Sequence, residues 1–397
     1  MANGRIRMPL REGGAMSLNF DLSEEHRMFW DAIASFVDKE IAPLVDEAEA
    51  KEAFPVPLFK RLGELGYLCC RYPEEYGGAG ADKISECLYM EELNRVCAGI
   101  ASCLLAHATL STSPIYDFGT EEQKQEYLVP AVRGEKIGAF ALTEPNAGSD
   151  AASITAKAVR EGDEYIINGT KTFITNGTIC DYVLVAAYTD PSQRAKGISL
   201  FIVDRDNPGF HVARKLEKAG LRSADTAELV FEDCRVPASQ LLGDREGGFV
   251  QVVKTLVGGR ISYGGRCAGM ARGVFDITKR YIEERSQFGR PLIKFQVNQF
   301  KIAEWAMHID IMHTITWKAA WMYDQGRDCT REASIVKLFC SETTQNIINQ
   351  AIQLFGGYGF MMEYPIQRFW RDSRVLTITE GVPEVHRSII FRSLDGR

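Results

Sequence analysis

Apolar positions in the first 135 residues recur at helical spacing. Phe29, Ile33, Phe36, Val37 and Ile41 form one stripe, which predicts a helix from about 24 to 42. Asp21 or Ser23 can supply its N-cap, and Pro43 is expected to close it. Phe59, Leu62, Leu65 and Leu68 predict a second, short helix. Residues 72–82 (YPEEYGGAGAD) read as a loop from their proline and glycines. Helical periodicity resumes from about 84 to 117, through the small-residue run Ala98–Ala106. It returns from Glu121 to Val132.

Near Ile137 the period shortens to two. Ile137, Ala139 and Ala141 alternate with Phe140 and Leu142. Runs rich in β-branched residues follow at 152–160, 164–168, 171–175, 182–188, 198–203 and 227–232. Asn168-Gly169 predicts a hairpin between the second and third of these runs. The β region closes near Val236-Pro237. From about 247 the helical period returns, over 250–285, 296–325, 331–355 and 383–394. The expectation is a multi-domain α+β chain. A flexible extension (1–16) precedes an all-α domain (17–136). A middle β domain (137–245) and a C-terminal α-helical bundle (246–397) follow.

Composition narrows the function. The chain has 397 residues, 45% apolar and 25% charged, with net charge −7. Without a basic block, nucleic-acid binding is not expected. No run of 18 apolar residues is present, so no membrane span is expected. Ten cysteines lack any C-x-x-C pair, and Cys69-Cys70 is the one close doublet. That argues for buried thiols in a reducing compartment, and against a disulfide framework or a metal site. His308 and His313 are spaced poorly for shared ligation and read as core or surface residues. Arg5, Arg7 and Arg11 precede Met16 without the apolar core of a secretory signal. The first fifteen residues read as a loose extension. The expected location is cytoplasmic, with an organelle matrix as the alternative.

Two stretches carry candidate chemistry. Phe140-Ala-Leu-Thr-Glu-Pro-Asn-Ala-Gly-Ser-Asp150 is a strand that breaks at Pro145 into a loop of hydroxyls, carboxylates and free backbone N–H groups. Such a loop can hold a planar, partly anionic ligand, or be an ordinary tight turn. In Lys171-Thr-Phe-Ile-Thr-Asn-Gly177, Phe173 and Thr175 fall on one strand face, which suits a flat heteroaromatic ring. Together these stretches resemble the flavin-binding middle domain of the acyl-CoA dehydrogenases, of the short- and medium-chain type, which implies an N-terminal α-helical domain, a middle β-barrel domain and a C-terminal four-helix bundle. The family usually has Trp where this chain has Phe173.

Two further stretches extend the resemblance across essentially the whole chain from Met16. Arg285, Phe288, Gly289 and Gln296 are similar to the family's R-x-x-F-G…Q segment, and Gln353-Leu-Phe-Gly-Gly-Tyr-Gly359 to its glycine-ended helix. By themselves, Arg285 is a cation at a helix C-terminus and the glycines a C-cap. The resemblance implies FAD as cofactor, held by Phe140, Leu142, Thr143, Gly148, Ser149, Phe173, Thr175, Val382 and Glu384. It also implies that Arg285, Phe288, Gln296, Gln353, Gly356 and Gly357 reach the cofactor of a neighbouring subunit. Ser149, Arg260 and Gly381 are implied at the substrate, with no metal.

The same resemblance implies Glu380 as the catalytic base, in Ile378-Thr-Glu-Gly-Val382. One branch of the family places its base just before an arginine on the first C-terminal helix. That position is Gly259 here, so it cannot serve. Val257 stands where the family usually has an Asp at the pantetheine chain, and Val382 where a hydroxyl often touches the flavin. The implied reaction is α,β-dehydrogenation of an acyl thioester, with the β-hydrogen passing as hydride to the flavin. The expected partners are an acyl-CoA, an electron-transfer flavoprotein-like acceptor, and other copies of the chain in a homodimer or homotetramer. Three alternatives stay open. They are the same chemistry on a carrier-protein thioester, a flavin oxidase or monooxygenase, and a catalytically silent flavoprotein.

Overall fold

The structure, a computed structural model, describes residues 21–243 and 247–394. The extension at 1–16 lies outside them. The helices are α1 (Glu24–Phe36), α2 (Val45–Lys51), α3 (Pro57–Glu64), α4 (Lys83–Val96), α5 (Ala98–Leu105), α6 (Thr112–Phe118), α7 (Glu121–Gln123) and α8 (Val129–Val132). The strands are β1 (Gly138–Ala141), β2 (Lys157–Glu161), β3 (Glu164–Thr175), β4 (Tyr182–Tyr188), β5 (Ile198–Asp204), β6 (Phe210–Lys215) and β7 (Thr226–Pro237). Then come α9 (Phe249–Glu284), a two-strand ribbon β8 (Ser286–Gln287) and β9 (Arg290–Pro291), α10 (Gln296–Asp324), α11 (Thr330–Phe355), α12 (Ile366–Ser373) and α13 (Pro383–Leu394). The order is helical, sheet, helical.

Ser23 caps α1, its side chain accepting from His26 N–H at 3.1 Å. Pro43 does not end the helical path. The chain widens into a π-helical turn at Val37–Ile41, tightens at Ala42–Leu44, and continues as α2. Proline's missing donor and its ring are absorbed by this change of hydrogen-bond pattern. The helix predicted over 84–117 is broken at Cys97, whose backbone is extended (φ −153°, ψ 108°).

The sheet runs β1-β4-β2-β3-β7-β6, with β5 added on β4. β2 meets β4 through one pair, Lys157 and Tyr188, so the sheet is a half-barrel and not a closed one. Asn168-Gly169 is not a hairpin turn. It lies inside β3, where the register against β7 shifts. Asn168 Oδ1 accepts from Asp233 N–H at 2.8 Å, and this cross-strand bond holds the bulge. The turn between β2 and β3 is instead at Gly162, with φ +63°. β6 and α12 are further elements that the hydrophobic pattern did not reveal.

Three cores hold these layers. On β4 the period of two divides the side chains between two of them. Tyr182, Leu184 and Ala186 pack with the N-terminal helices, and Val183, Val185 and Ala187 face the sheet's own interior. The third core joins α9, α10 and α11. Helix α9 lies against α4 along Gly265, Gly269 and Gly273. A Cβ at any of these would come within 2.0–2.3 Å of the Cys87, Glu91 or Arg95 carbonyl oxygens. These glycines allow the helices to approach backbone to backbone, and so bring α4 beside the end of α9 that carries Arg260.

Candidate active site

The two sequence stretches singled out in the β region meet. Thr172 N–H donates to Thr143 O at 2.9 Å, and Lys171 Nζ to Leu142 O at 3.0 Å. Glu144 and Lys171 are buried and paired at 2.7 Å. Glu144 Oε2 also accepts from Thr155 N–H (2.6 Å) and Oγ1 (2.8 Å), and Oε1 from Ala156 N–H (3.0 Å). These bonds outweigh burial and hold the Glu144 carboxyl below the usual range, while burial pulls Lys171 down to about 8. Glu144 is therefore a structural pin. Around it, Phe140, Leu142, Thr143 and Thr175 are half-buried, and Gly148 and Ser149 are exposed. A Cβ at Gly148 would meet nothing within 4 Å. Phe173 is 69% exposed and has φ +60°, at a register shift in β3. The period of two expected to place Phe173 and Thr175 on one face is thus interrupted by a bulge at Phe173.

The second corner is built on α9 and the segment before α13. Glu380 and Gly381 both have positive φ, +55° and +104°. For a glutamate this backbone costs about 1–2 kcal/mol, and it is fastened on both sides. Arg260 Nε donates to Glu380 O at 3.2 Å, and Lys337 Nζ to Gly381 O at 2.6 Å. The carboxyl lies over Gly259, where an added Cβ would stand 2.9 Å from Oε2. That Oε2 is shielded from solvent and has no hydrogen-bond partner. Burial raises the Glu380 pKa, and the charges of Arg260, Lys337, Arg266 and Lys83 oppose the rise. Burial also brings Lys337 down to about 8. His386 packs its ring against Gly381 and is held neutral, its pKa lowered to about 3 by burial and then by Arg260 and Lys337.

The third group lies apart from both corners on the surface of the C-terminal helices. Arg285 ends α9 and sits 5.5 Å from the ring centre of Tyr358. Phe288 is 94% exposed with φ +52° in the β8–β9 turn, and Gln296 opens α10. Gln353, Gly356 and Gly357 end α11, and neither glycine has a neighbour within 4 Å of a built Cβ. Arg285 thus brings this turn and the α11 end together. Among the described residues, no hydrogen bond or ion pair joins this group to Phe173 or Glu380. No group of three His, Cys, Asp or Glu suited to a metal exists among the described residues.

Three family matches tile the chain. Residues 23–135, 139–234 and 246–394 match the acyl-CoA dehydrogenase N-terminal, middle and C-terminal domains. The probable acyl-CoA dehydrogenase YngJ of Bacillus subtilis is 44% identical over 378 residues, 95% of this chain and 100% of that protein. The chain belongs to the acyl-CoA dehydrogenase family. A short-chain specific acyl-CoA dehydrogenase of Clostridium acetobutylicum is 40% identical over 373 residues, 94% of this chain and 98% of its own. The structure of butyryl-CoA dehydrogenase from Megasphaera elsdenii aligns with TM-score 0.92 at 39% identity, covering 95% of this chain and 100% of that one.

Within this family member, several residues at the Glu380 corner escaped sequence reasoning. Lys337, Arg266, Tyr263, Thr379 and His386 all surround it, with Tyr263 Oη 2.8 Å from Thr379 Oγ1. Lys337 did leave a signal. It falls in the buried stripe of α11 with Ala333, Cys340 and Thr344, where a lysine is out of place unless it has a task. Of the two histidines weighed as ligands, His313 is accounted for by Glu91, 3.0 Å from its Nε2. All ten cysteines are buried and free.

Proposed function

We propose that this chain is an FAD-dependent acyl-CoA dehydrogenase in which Glu380 takes the α-proton of the acyl thioester. The observation that carries this reading is the Glu380 carboxyl, enclosed above Gly259 with Oε2 unpartnered. A carboxylate in full hydrogen-bonding company is a weak base. One deprived of water and partners is a stronger one. Arg260 and Lys337 act on the backbone either side of it and set where the carboxyl points. Neutral His386 and the apolar flank keep water away. A second proton donor is not supplied at Oε2, so an incoming α-proton meets a free lone pair.

The open loop fits FAD. Gly148 leaves room for close approach, exposed Phe173 offers a ring face, and Thr143, Ser149 and Thr175 offer hydroxyls. We assign Phe140 and Leu142 to the same wall, and Val382 and Glu384 to the edge beside the base. Bound FAD supplies the two-electron acceptor. Arg285, Phe288, Gln296, Gln353, Gly356 and Gly357 are all exposed, and none is bonded to the same chain's loop or base among the described residues. We assign them to a neighbour's cofactor in a homodimer or homotetramer. Exposed apolar side chains on that surface support the assembly, among them Phe288, Val297, Phe300 and Phe360. Ser149, Arg260 and Gly381 are assigned to the substrate end, Arg260 acting through Glu380. Domain boundaries are placed at 137 and 246. An electron-transfer flavoprotein-like acceptor and a cytoplasmic setting complete the reading; no described helix is long and apolar enough to cross a membrane.

The test is anaerobic mixing of the FAD-loaded protein with butyryl-CoA. Loss of the oxidised flavin absorbance with formation of the 2,3-unsaturated thioester is expected. Absence of both with CoA esters, alongside bleaching by carrier-bound acyl groups, would replace CoA by a carrier. Stoichiometric oxygen uptake without an added acceptor would replace the dehydrogenase by an oxidase.

A further inference from the structure

Three consecutive residues around the proposed base are each fastened by a different side chain. Arg260 Nε donates to Glu380 O at 3.2 Å, and Lys337 Nζ to Gly381 O at 2.6 Å. The third fastener is Tyr263, whose Oη lies 2.8 Å from Thr379 Oγ1. Arg260 and Tyr263 stand three apart on α9, so both project from one helix face. The Thr379 hydroxyl donates to Val375 O at 3.4 Å. Its single proton is thereby engaged, which makes Tyr263 the donor to Thr379. The two hydroxyls form a directed chain from α9 to Val375. The same carbonyl accepts from the Ile378 and Thr379 N–H groups at 2.9 and 3.1 Å.

The Tyr263 end of this chain is rigid. Its ring is fully buried, and the Arg266 and Lys337 cations lie 5.2 and 5.4 Å from the ring centre. The helix beneath it cannot shift. A Cβ at Gly264 would come within 2.1 Å of Thr316 Oγ1 on α10 and 2.7 Å of Val336 Cγ1 on α11, and one at Gly265 within 2.2 Å of Cys87 O on α4. Burial pushes the Tyr263 phenol up, so its proton stays in place to be donated.

The other end of the chain adjoins the strained turn. Glu380 and Gly381 have φ of +55° and +104°. Oε2 has no hydrogen bond to hold it. The place of the carboxyl over Gly259 is therefore set from the backbone end, by what fastens residues 379–381. A buried tyrosine hydroxyl needs a partner in any case, and that need alone would make the bond a matter of stability. Here the bond ends on the residue adjoining the base.

We propose that Tyr263 is a positioning residue: its hydroxyl, acting through Thr379, fixes the backbone from which the Glu380 carboxyl is aimed over Gly259. This rests on the dehydrogenase reading.

The test is anaerobic stopped-flow of the FAD-loaded protein over a range of butyryl-CoA concentrations, with rates referred to bound flavin. Parent, Tyr263→Phe, Thr379→Val, Thr379→Ser and the double variant Tyr263→Phe/Thr379→Val are compared. The limiting bleaching rate is expected to fall about tenfold in Tyr263→Phe and in Thr379→Val. The half-saturating ester concentration is expected to stay within about twofold of the parent's, since aim and not binding is lost. The double variant should be no slower than either single one, because all three lack the same bond. Thr379→Ser keeps the hydroxyl and should keep the parent rate. A parent limiting rate in Tyr263→Phe or Thr379→Val overturns the inference, even where urea unfolding shows lower stability. So does a loss in the double variant that multiplies the two single losses, or a loss in Thr379→Ser equal to that in Thr379→Val. Each of these leaves the dehydrogenase reading standing. Should Tyr263→Phe not fold, the two Thr379 variants decide alone. Bleaching of the parent by no thioester overturns both.

Discussion

Glu144 and Glu380 are both carboxyls withdrawn from water beside cations, yet burial has opposite outcomes for them. Glu144 is met by Lys171, two backbone N–H groups and a hydroxyl, and its pKa falls. Glu380 has cations nearby, but these are spent on backbone carbonyls. Arg260 binds Glu380 O and Lys337 binds Gly381 O. Oε2 is left bare, and its pKa rises. Desolvation is common to the two; the count of donors decides the sign. The first arrangement holds a loop, and the second leaves a carboxyl oxygen free for the base role proposed for it. Glu86 belongs with Glu144: Lys83, Arg71 and Ser262 overcome burial and bring it to about 2.

The largest expected effect of breaking this contrast is on stability. Glu144→Ala leaves the Lys171 charge buried without a counter-ion, its Nζ keeping only the Leu142 carbonyl, at a cost of about 3–5 kcal/mol. Urea unfolding of the variant should show it, and retention of the parent midpoint would remove the pin. Gly259→Ala brings a methyl to within 2.9 Å of Oε2. The flexible carboxyl must swing away, and flavin bleaching should slow about tenfold with the fold intact. An unchanged rate would mean that the observed carboxyl position is not the working one.

A smaller effect lies in pH. Glu380 has a raised folded pKa, so its contribution to stability is present below the usual carboxylate value. It is lost as pH rises through the raised one. Glu144 has a lowered pKa, so its contribution is present above the usual value and lost as pH falls toward the lowered one. Denaturant midpoints measured across acid and neutral pH should therefore lose their decline toward neutrality in Glu380→Gln, and part of their acid decline in Glu144→Gln. Identical profiles in parent and variants would contradict both assignments.

Much of this architecture was legible in the sequence because it depends on long periodic segments. The four long C-terminal helices and the switch to period two near Ile137 are examples. Glu380 was singled out by the resemblance of its segment to the family's base-bearing motif; the glycine and proline that follow it mark only a backbone turn before a helix. What the pattern hid were interactions between distant segments. Asn168-Gly169 carries a hairpin signal, but Asn168 satisfies Asp233 across the sheet. Lys83 and Glu86 look like an ordinary solvated pair on a helix. Only the close approach of α4 to the glycines of α9 buries them. The site's supporting cations were hidden for the same reason, since nothing near Arg266 or His386 in the chain announces Glu380.

The base assignment is tested most directly by anaerobic stopped-flow of parent and Glu380→Gln, each loaded with FAD and mixed with the preferred CoA ester across pH. The parent rate should fall as pH drops through a value above the ordinary carboxylate range. Glu380→Gln should bind flavin and ester, bleach at least about 10²-fold more slowly, and lack that inflection. Bleaching of the Gln variant at the parent rate would contradict the role of Glu380 as the base.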